Sequence, residues 1–404
     1  MKIAFWFCIG LTTTIYFGYP IAIYIIARIW GREPKTDDIT PYVSIIIAAH
    51  NEEKVIKEKA ENVLALDYPA DKLEILFALD GCSDGTRRIL SQYRDNRIRV
   101  LDKNEREGKV RTLNRVVPFA SGEIVVFSDA NTIHEREFLR KLVRNFADSD
   151  VGLVCGRLRY KDTGSSTVGK GENLYWKYEH FIKLQESRLG TLLVTNGSVQ
   201  AIRKELYPFP DSDVADDFSV PLLIQAKGYK LIFEPEAIVY EKATQSIKEE
   251  FEQKVRIIAQ GIKGTMKLKQ ELLRLRPLGM LEFLFHKSLR WFVSFYLMIA
   301  FIVNLFLLNE AFYLVLFAAQ ITFYALALVG FFLRHTSRIR IFYIPFYFCL
   351  VNLSSVVALF RAIKGDQTRM WEKAHSTRTW KTDVESLVTS HQSQVTRKKD
   401  GKRI

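Results

Sequence analysis

Polar side chains gather at three points in the first third of the chain, each directly after a stretch with the pattern of a buried strand. These points are residues 50–53 (HNEE), 80–85 (DGCSDG) and 129–131 (DAN). In a parallel α/β sheet the ligand binds beyond the carboxyl ends of the strands, so the three loops are expected to meet on one rim. Such a rim is typical of a site for a nucleotide.

The common phosphate-binding fingerprints are absent from the sequence. No GxGxxG motif is present, and Gly108-Lys109 is followed by Val110 where a Walker A loop needs Ser or Thr. The predicted nucleotide site therefore belongs neither to a standard dinucleotide-binding fold nor to a P-loop protein.

Strands and helices alternate around these loops. Asn51 is expected to cap a first helix, whose apolar face includes Val55, Ile56 and Ala60. The predicted strands occupy residues 42–49, 73–79, 97–101 and 123–128, and further helices are predicted at 86–93 and 109–119. The alternation predicts an α/β domain with a mainly parallel sheet covered on both faces.

Four apolar runs lie outside this domain, at residues 3–29, 291–308, 312–333 and 341–360. Each is about the length that crosses the hydrocarbon core of a bilayer as a helix, ~20 residues. Basic residues flank the part between the runs, and the positive-inside rule then places that part in the cytoplasm, at the inner membrane of the cell. The predicted divisions are a transmembrane helix at 1–35, a cytosolic catalytic domain at 36–261, amphipathic interface helices at 262–290, a transmembrane region at 291–360 and a basic tail at 361–404.

The side of the membrane that holds the tail is left open by the sequence. One span before the domain and three after it would place residues 361–404 outside, whereas the surplus of Lys and Arg in the tail favours the inside. A re-entrant course for residues 341–360, which contain Pro345 and Asn352, is the alternative that reconciles the two.

Composition excludes several classes of protein. The chain has 404 residues, is 48% hydrophobic and contains 4 Cys, which excludes a disordered chain and a disulfide scaffold. Its net charge of +13 lies mostly beside the apolar runs, so attraction to an anionic lipid bilayer explains the charge better than nucleic acid does. No nucleic-acid-binding motif appears, and nucleic acid is not an expected partner.

Six short motifs occur in the order found in one enzyme family. They are AAHNEE (48–53), LDGCSDGT (79–86), REGKVRTLN (106–114), FSDANT (127–132), ADDF (215–218) and QKVRIIAQG (253–261). At these motifs the chain resembles a family 2 glycosyltransferase with the GT-A fold, a Rossmann-like and mostly parallel sheet. The subgroup that it resembles is embedded in the membrane and includes cellulose, hyaluronan and poly-N-acetylglucosamine synthases.

The resemblance implies a nucleotide diphosphate sugar, usually UDP-linked, as the donor. Asp129 and Asn131 are similar to the family's DxD pair, which holds Mg²⁺ or Mn²⁺ against the diphosphate, and hard cations prefer such oxygen ligands. Asp80 would contact the base or ribose and Lys109 the diphosphate. Asn51 and Glu52 would line the nucleotide pocket, although Glu52 is also explained as a charge in the first turn of a helix.

The family's general base aligns with Asp217, which would take the proton of the acceptor hydroxyl in a single inverting displacement. The alternative is that Asp213 or Asp216 is the base and that Asp217 caps a helix. Gln253 and Arg256 are similar to the family's QxxRW motif, which binds the diphosphate and the acceptor end.

The Trp of the QxxRW motif is replaced here by Ile257, which offers no face for stacking on a sugar. This departure weakens the case for processive polymerisation. HKSLRW (286–291) resembles a motif near the cytosolic mouth of the synthases.

Two functions follow from the resemblance, and the three C-terminal apolar runs, the interface segment and HKSLRW favour the first over the second. The first is metal-dependent transfer of a sugar to a growing polysaccharide at the cytoplasmic face of the membrane, with room for an accessory membrane subunit. The second is transfer of a single sugar to a polyprenyl-phosphate or other lipid-linked acceptor. A non-catalytic sensor is disfavoured, because Asp80, Asp129 and Asp217 are all present.

Overall fold

The computed structural model describes residues 1–161, 167–244, 246–333 and 339–364, together with Arg378. The predicted basic tail therefore lies outside the described residues, apart from its first four residues and Arg378.

One mixed sheet of eight strands forms the centre of the predicted catalytic domain, in the order β3-β2-β1-β4-β7-β6-β8-β5. β1, β2, β3 and β4 lie side by side and are parallel, as predicted. β7 runs antiparallel to both β4 and β6. The strands are β1 (Val43–Ala49), β2 (Leu73–Leu79), β3 (Ile98–Leu101), β4 (Ile124–Asp129), β5 (Ile133–His134), β6 (Val151–Lys161), β7 (Val199–Arg203) and β8 (Lys230–Lys242).

The parallel half of the sheet is buried on both faces. Every residue of β2 is buried, and in β1 only Ala48 is partly accessible. Continuous apolar strands of this kind need helices above and below them, since side chains alternate between the faces. The two strands pair in register from Val43 with Leu73 to Ala49 with Leu79, so their carboxyl ends finish at the same edge.

Fourteen α-helices occur in the described parts of the chain, and several continue into one another through short 3₁₀ or π turns. They are α1 (Lys2–Thr13), α2 (Tyr19–Trp30), α3 (Ile56–Leu64), α4 (Thr86–Leu90), α5 (Lys109–Val116), α6 (Phe138–Val143), α7 (Thr167–Arg188), α8 (Asp216–Ala226), α9 (Ile247–Lys267), α10 (Lys269–Leu272), α11 (Pro277–Glu282), α12 (Val293–Leu305), α13 (Ala311–Phe332) and α14 (Arg340–Lys364).

Four continuous helical segments are long and apolar enough to cross a membrane: Lys2–Trp30, Pro277–Leu305, Ala311–Phe332 and Arg340–Lys364. They match the four apolar runs of the sequence. The second segment begins at Pro277 instead of 291, because the amphipathic stretch before Trp291 continues into α12 through a π turn (Phe283–Ser288) and a 3₁₀ turn. Part of the predicted interface region thus belongs to a candidate span.

Buried polar contacts join the candidate spans to the catalytic domain. Tyr347 in α14 donates its hydroxyl hydrogen bond to Glu250 in α9 at 2.8 Å, and Tyr19 in α2 donates to Glu186 in α7 at 2.7 Å. Trp291 packs beside Ile258 and Ile262 of α9. The sheet domain and the apolar helices are therefore packed against each other through α7 and α9.

Two local predictions about helix ends were wrong. Asn51 does not cap α3: it has a left-handed backbone with φ 52°, its amide oxygen accepts a hydrogen bond from the Ser83 backbone N–H, and α3 begins after Val55. The alternative that Asp217 caps a helix was also wrong: α8 begins at Asp216, so Asp216 and Asp217 lie in its first turn and Ala215 precedes it.

Candidate active site

A cavity of about 1450 Å³ lies between the carboxyl edge of the sheet and the apolar helices. Thr12, Tyr16 and Asn352 of the candidate spans contribute to its wall. Seven of the residues selected from the sequence line it together: Lys109, Asp129, Asn131, Asp216, Asp217, Gln253 and Arg256.

Lys109 joins the loop after β4 to the start of α8. Its ammonium donates to Asp129 Oδ1 at 2.8 Å and lies 3.8 Å from Asp216 Oδ2. Burial acts to lower the pKa of Lys109, but the charges of Asp129 and Asp216 outweigh it and raise that pKa. Lys109 is consequently a permanent cation between two carboxylates, positioned to attract an anionic ligand such as a diphosphate.

Gly197 brings the backbone close to this cluster. A Cβ placed on Gly197 would lie 3.0 Å from Asp216 Oδ2 and 3.3 Å from Lys109 Nζ. A larger residue would therefore push the acid and the lysine apart, which gives a physical reason for glycine here.

Asn131 lies beside a third acidic residue, Glu241 at the end of β8. The Asn131 amide donates to Glu241 Oε1 at 2.9 Å. Burial, and then the nearby charge of Asp129, raise the pKa of Glu241 to about 7. Two carboxylates held this close in a buried pocket repel each other, and a cation between them would relieve the repulsion.

The oxygen atoms of Asp129, Asn131 and Glu241 fit a hard divalent cation such as Mg²⁺ or Mn²⁺. Within the described residues, no cluster of three or more His, Cys, Asp or Glu side chains has the geometry of a complete metal site. The protein oxygens therefore suit a cation that takes its remaining ligands from a bound diphosphate and water.

Asp216 and Asp217 lie side by side at the N-terminus of α8, where the helix dipole favours negative charge. Burial raises the pKa of Asp216 to about 6; the Asp217 charge adds to this effect and Lys109 opposes it. Asp216 is 7% exposed and lies 3.8 Å from Lys109, and Asp217 beside it also lines the cavity.

Asp80 contacts the protein instead of the cavity. Its two carboxylate oxygens accept hydrogen bonds from the backbone N–H groups of Glu107 and Gly108, at 2.6 and 3.0 Å. Asp80 thereby fixes the loop that leads into Lys109, and it is not among the residues that line the cavity.

Glu52 forms a buried ion pair with Arg378, which does line the cavity. The Arg378 Nε atom lies 2.9 Å from Glu52 Oε2, and the side chains are 8% and 1% exposed. Glu52 is thus more than a charge in the first turn of a helix. Like Asp80, neither Glu52 nor Asn51 lines the cavity directly.

Gln253, Arg256 and Ile257 project from neighbouring positions of α9 into the cavity wall. Ile257 is 42% exposed, so an apolar side chain faces open space where the synthases have an indole. Without an aromatic ring, position 257 offers no stacking contact to a sugar chain.

The sequence of residues 44–208 matches the family model for glycosyl transferase family 2. This segment contains β1 to β7 and the residues Asp80, Lys109, Asp129 and Asn131. The chain carries a family 2 glycosyltransferase domain.

The chain is similar to curated synthases of two kinds. A poly-β-1,6-N-acetyl-D-glucosamine synthase from Staphylococcus aureus is 28% identical over 242 residues, covering 56% of this chain and 58% of that protein. A β-monoglucosyldiacylglycerol synthase from Trichormus variabilis is 29% identical over 203 residues, covering 49% and 43%. The chain thus spans about half the length of the curated relatives that it matches.

A solved structure supports the predicted fold of the family 2 chain. A mannosyltransferase from Pyrobaculum calidifontis, determined in complex with GDP-Man and Mn²⁺, superposes with a TM-score of 0.69 at 22% identity. The match covers 90% of this chain and 100% of that one. The predictions of the family and of the GT-A fold are confirmed.

Sequence reasoning missed three residues around the family 2 site: Glu241, Arg378 and Lys59. Glu241 and Arg378 lie outside the six motifs, and no strand was predicted from the sequence around Glu241. Lys59 is fully buried in α3 and donates to Ser128 Oγ at 2.7 Å and to the Thr132 carbonyl at 2.9 Å. Lys59 thereby stabilises the Asp129–Asn131 turn. The sequence pattern of α3 does not indicate that this lysine is buried.

Proposed function

We propose that this protein transfers a sugar from a nucleotide diphosphate sugar to the hydroxyl group of an acceptor at the membrane surface, with inversion at the anomeric carbon. The observation that carries the proposal is the cluster of Lys109, Asp129 and Asp216 in a family 2 domain, beside Asp217 and at one end of a cavity that continues between apolar helices. Cations and acids within one cavity match the needs of a diphosphate leaving group and a hydroxyl nucleophile.

Donor binding is assigned to the side of the cavity that contains Lys109. Asp129 and Asn131, supported by Glu241, would hold Mg²⁺ or Mn²⁺ against the diphosphate. That cation would neutralise the charge that develops on the leaving group. Lys109 adds a positive charge, and Arg256 is suited to bidentate contact with phosphate oxygens.

Asp217 is proposed as the general base, and Asp216 is kept as the alternative. Asp217 lines the cavity and lies next to Asp216 in the first turn of α8, whereas Asp216 is engaged with Lys109 at 3.8 Å. The base takes the proton of the acceptor hydroxyl as its oxygen attacks the anomeric carbon.

The geometry best supports a single transfer to a lipid-linked acceptor. The cavity reaches side chains of the candidate spans, among them Tyr16 and Phe348, and Ile257 supplies no stacking face for a sugar chain. Growth of a polysaccharide is the second candidate, favoured by the similarity to the poly-N-acetylglucosamine synthase. We further propose an inner-membrane location with the catalytic domain in the cytoplasm.

Product size tests these assignments. The purified protein in nanodiscs would receive radiolabelled UDP- and GDP-sugars, Mg²⁺ or Mn²⁺, and lipid extract. A single labelled lipid is the expected product. If the product is instead high-molecular-weight material that a specific glycosidase digests, the acceptor is a polysaccharide and not a lipid. Failure to turn over any donor would contradict the enzyme assignment.

A further inference from the structure

A strained loop leads directly into the two acids at the start of α8. Residues 207–215, which we call the α8 loop, connect the 3₁₀ turn after β7 to Asp216. Phe209 in this loop has a left-handed backbone with φ 48°. A bulky residue at positive φ is strained and persists only where the surrounding structure holds it in place. The strain indicates that neighbouring elements fix the course of the α8 loop.

On one side the α8 loop is held by α5, the helix that begins with Lys109. Asn114 Nδ2 donates to the Pro210 carbonyl at 2.9 Å. Asn114 Oδ1 accepts a hydrogen bond from the Tyr207 hydroxyl at 2.9 Å. The helix that presents Lys109 to the cavity therefore also binds the loop that leads to the acids.

On the other side two lysines one turn apart on α9, Lys263 and Lys267, hold the same loop. Lys267 Nζ donates to Asp211 Oδ2 at 2.6 Å and to Asp213 Oδ2 at 3.3 Å. Lys263 Nζ donates to Asp213 Oδ2 at 3.4 Å. The Asp213 backbone N–H donates to Asp211 Oδ1 at 3.0 Å, so the two acids and the two lysines form one network.

Gly264, between the two lysines, lets α9 pack closely against the start of α8. A Cβ at Gly264 would lie 2.6 Å from Phe218 Cδ1 and 2.9 Å from Val214 Cγ1. A side chain at this position would therefore push α9 away from both the α8 loop and the first turn of α8. The ion pairs and this close contact together fix the backbone that carries Asp216 and Asp217.

The network of lysines and acids affects geometry more than stability. The side chains of Lys267 and Asp211 are 36% and 55% exposed, and exposed ion pairs add little to the free energy of folding. A general base, in contrast, must lie within hydrogen-bond reach of the hydroxyl whose proton it takes. A misplacement of about 1 Å can slow a reaction about 10²-fold. Loss of the network should therefore lower the rate while the protein stays folded.

We propose that Lys263 and Lys267 are positioning residues, which act through Asp211 and Asp213 to place the acids of α8 at the reacting groups. The assignment rests on the proposed transferase function. Two adjacent cations also lower the proton affinity of a carboxylate, which disfavours Asp213 as the general base.

Steady-state kinetics of the detergent-purified full chain test the role of the lysines. The double variant Lys263→Met with Lys267→Met should lower kcat at least ~10-fold, with KM for the donor and UDP affinity within about two-fold of wild type. Its melting temperature should stay within about 2 °C of wild type. Wild-type kcat, or a loss of UDP affinity in parallel with kcat, would overturn the proposal.

Matched variants separate the charge of the lysines from their bulk. Lys263→Arg with Lys267→Arg keeps both charges and should retain most of the rate. Lys269→Met removes a positive charge at an exposed position of α10 and should not change kcat. A ten-fold loss with the conservative arginine pair, or with Lys269→Met, would contradict an action through the ion pairs to the α8 loop.

Combination with Asp213→Ala separates positioning from proton abstraction. If the lysines act through Asp213, this change should lower kcat in the wild-type protein and lower it little further in the double methionine variant. Losses that simply multiply would mean that the lysines act independently of Asp213. Complete inactivity of Asp213→Ala, with an active double methionine variant, would make Asp213 the base.

Hydrogen exchange measures the positioning without catalysis. The backbone N–H groups of Phe218 and Ser219 both donate to the Ala215 carbonyl, at 3.2 and 2.9 Å. In the double methionine variant these amides should exchange faster, whereas the amides of β1 should exchange at the wild-type rate. Unchanged exchange at the start of α8 would contradict the proposal. Faster exchange in the variant of a protein that transfers no sugar would contradict the proposed function alone.

Discussion

At the scale of single residues, the site consists of charged side chains that shift one another's pKa. Lys109 is held between Asp129 and Asp216, and the Asp129 charge in turn helps to raise the pKa of Glu241. A change at one of these positions therefore alters the protonation of the others, so variants must be compared by binding as well as by turnover.

Asp217→Asn should abolish transfer while leaving UDP affinity nearly unchanged. Removal of a general base typically costs about 10²–10⁴-fold in rate. Single-turnover kinetics and equilibrium UDP binding measure the two effects separately. Asp216→Asn is the matched control, since it removes one negative charge at the adjacent position. If Asp217→Asn kept near-normal turnover and Asp216→Asn lost it, Asp216 would be the general base.

Glu241→Gln should raise the concentration of Mn²⁺ or Mg²⁺ needed for half-maximal activity, because it removes a carboxylate beside Asn131. Asp129→Ala should have the larger effect and should also weaken donor binding. Activity would be measured across a metal titration after EDTA treatment. Equal activity with and without EDTA would contradict the proposed metal dependence.

Protonation of His180 should make the protein sensitive to acid. Burial, followed by the charges of Lys183 and Arg157, lowers the pKa of His180 to about 3. Below about pH 6.5 the unfolded chain binds a proton that the folded protein does not, so stability is complete above that pH and falls as the pH decreases towards 3. The expected slope is about 1.4 kcal/mol per pH unit.

Thermal unfolding between pH 7 and 4.5 would measure this effect. His180→Phe keeps an aromatic ring against Phe233 and should unfold with a shallower dependence on pH. Parallel curves for the variant and the wild-type protein would mean that His180 is not the group responsible.

At the scale of elements, α3 supports the loop that presents Asp129. Lys59 contacts the hydroxyl groups of Ser128 and Thr132 and the Thr132 carbonyl, on both sides of the Asp129–Asn131 turn. The loop conformation thus depends on a helix that contributes nothing else to the cavity.

Lys59→Met should destabilise the protein and weaken donor binding together. It leaves buried oxygens without their donor, at about 1–3 kcal/mol for each unsatisfied group. Thermal unfolding and UDP titration would detect the two losses. Lys57→Met, on the exposed face of the same helix, is the control and should change neither. A loss of stability without any change in UDP affinity would make Lys59 purely structural.

The sequence predicted the parallel strands and the spans but not the elements added at the far edge of the sheet. β1, β2 and β4 are continuous apolar runs, which periodicity detects, but of their polar ends only that of β4, with Asp129 and Asn131, lines the cavity. β7 pairs with β4 and β6, β8 pairs with β5 and β6, and only the folded sheet brings Glu241 beside Asn131. Local patterns carry no information about such pairing.

At the scale of the whole molecule, the first and last parts of the described chain meet at the site. Arg378 and Glu52 are separated by 326 positions and form a buried ion pair at the cavity.

Deletion of the chain after residue 364 should impair donor binding more than membrane insertion. The deletion retains all four candidate spans but leaves Glu52 buried without Arg378, and breaking a buried pair is typically destabilising by about 3–5 kcal/mol. Arg378→Gln in the full chain should reproduce the defect. UDP affinity of membrane-extracted protein is the measurement, and full affinity in the truncated chain would mean that the pair is dispensable.

The Arg378–Glu52 pair also sets the order in which the protein is completed during synthesis. Residue 378 leaves the ribosome after every candidate span, so a nascent chain holds the loop after β1 long before the partner of Glu52 exists. The pocket is therefore completed only after the four candidate spans of the described chain have been made. A nascent chain that ends before residue 378 contains the spans but lacks one side chain of the cavity wall.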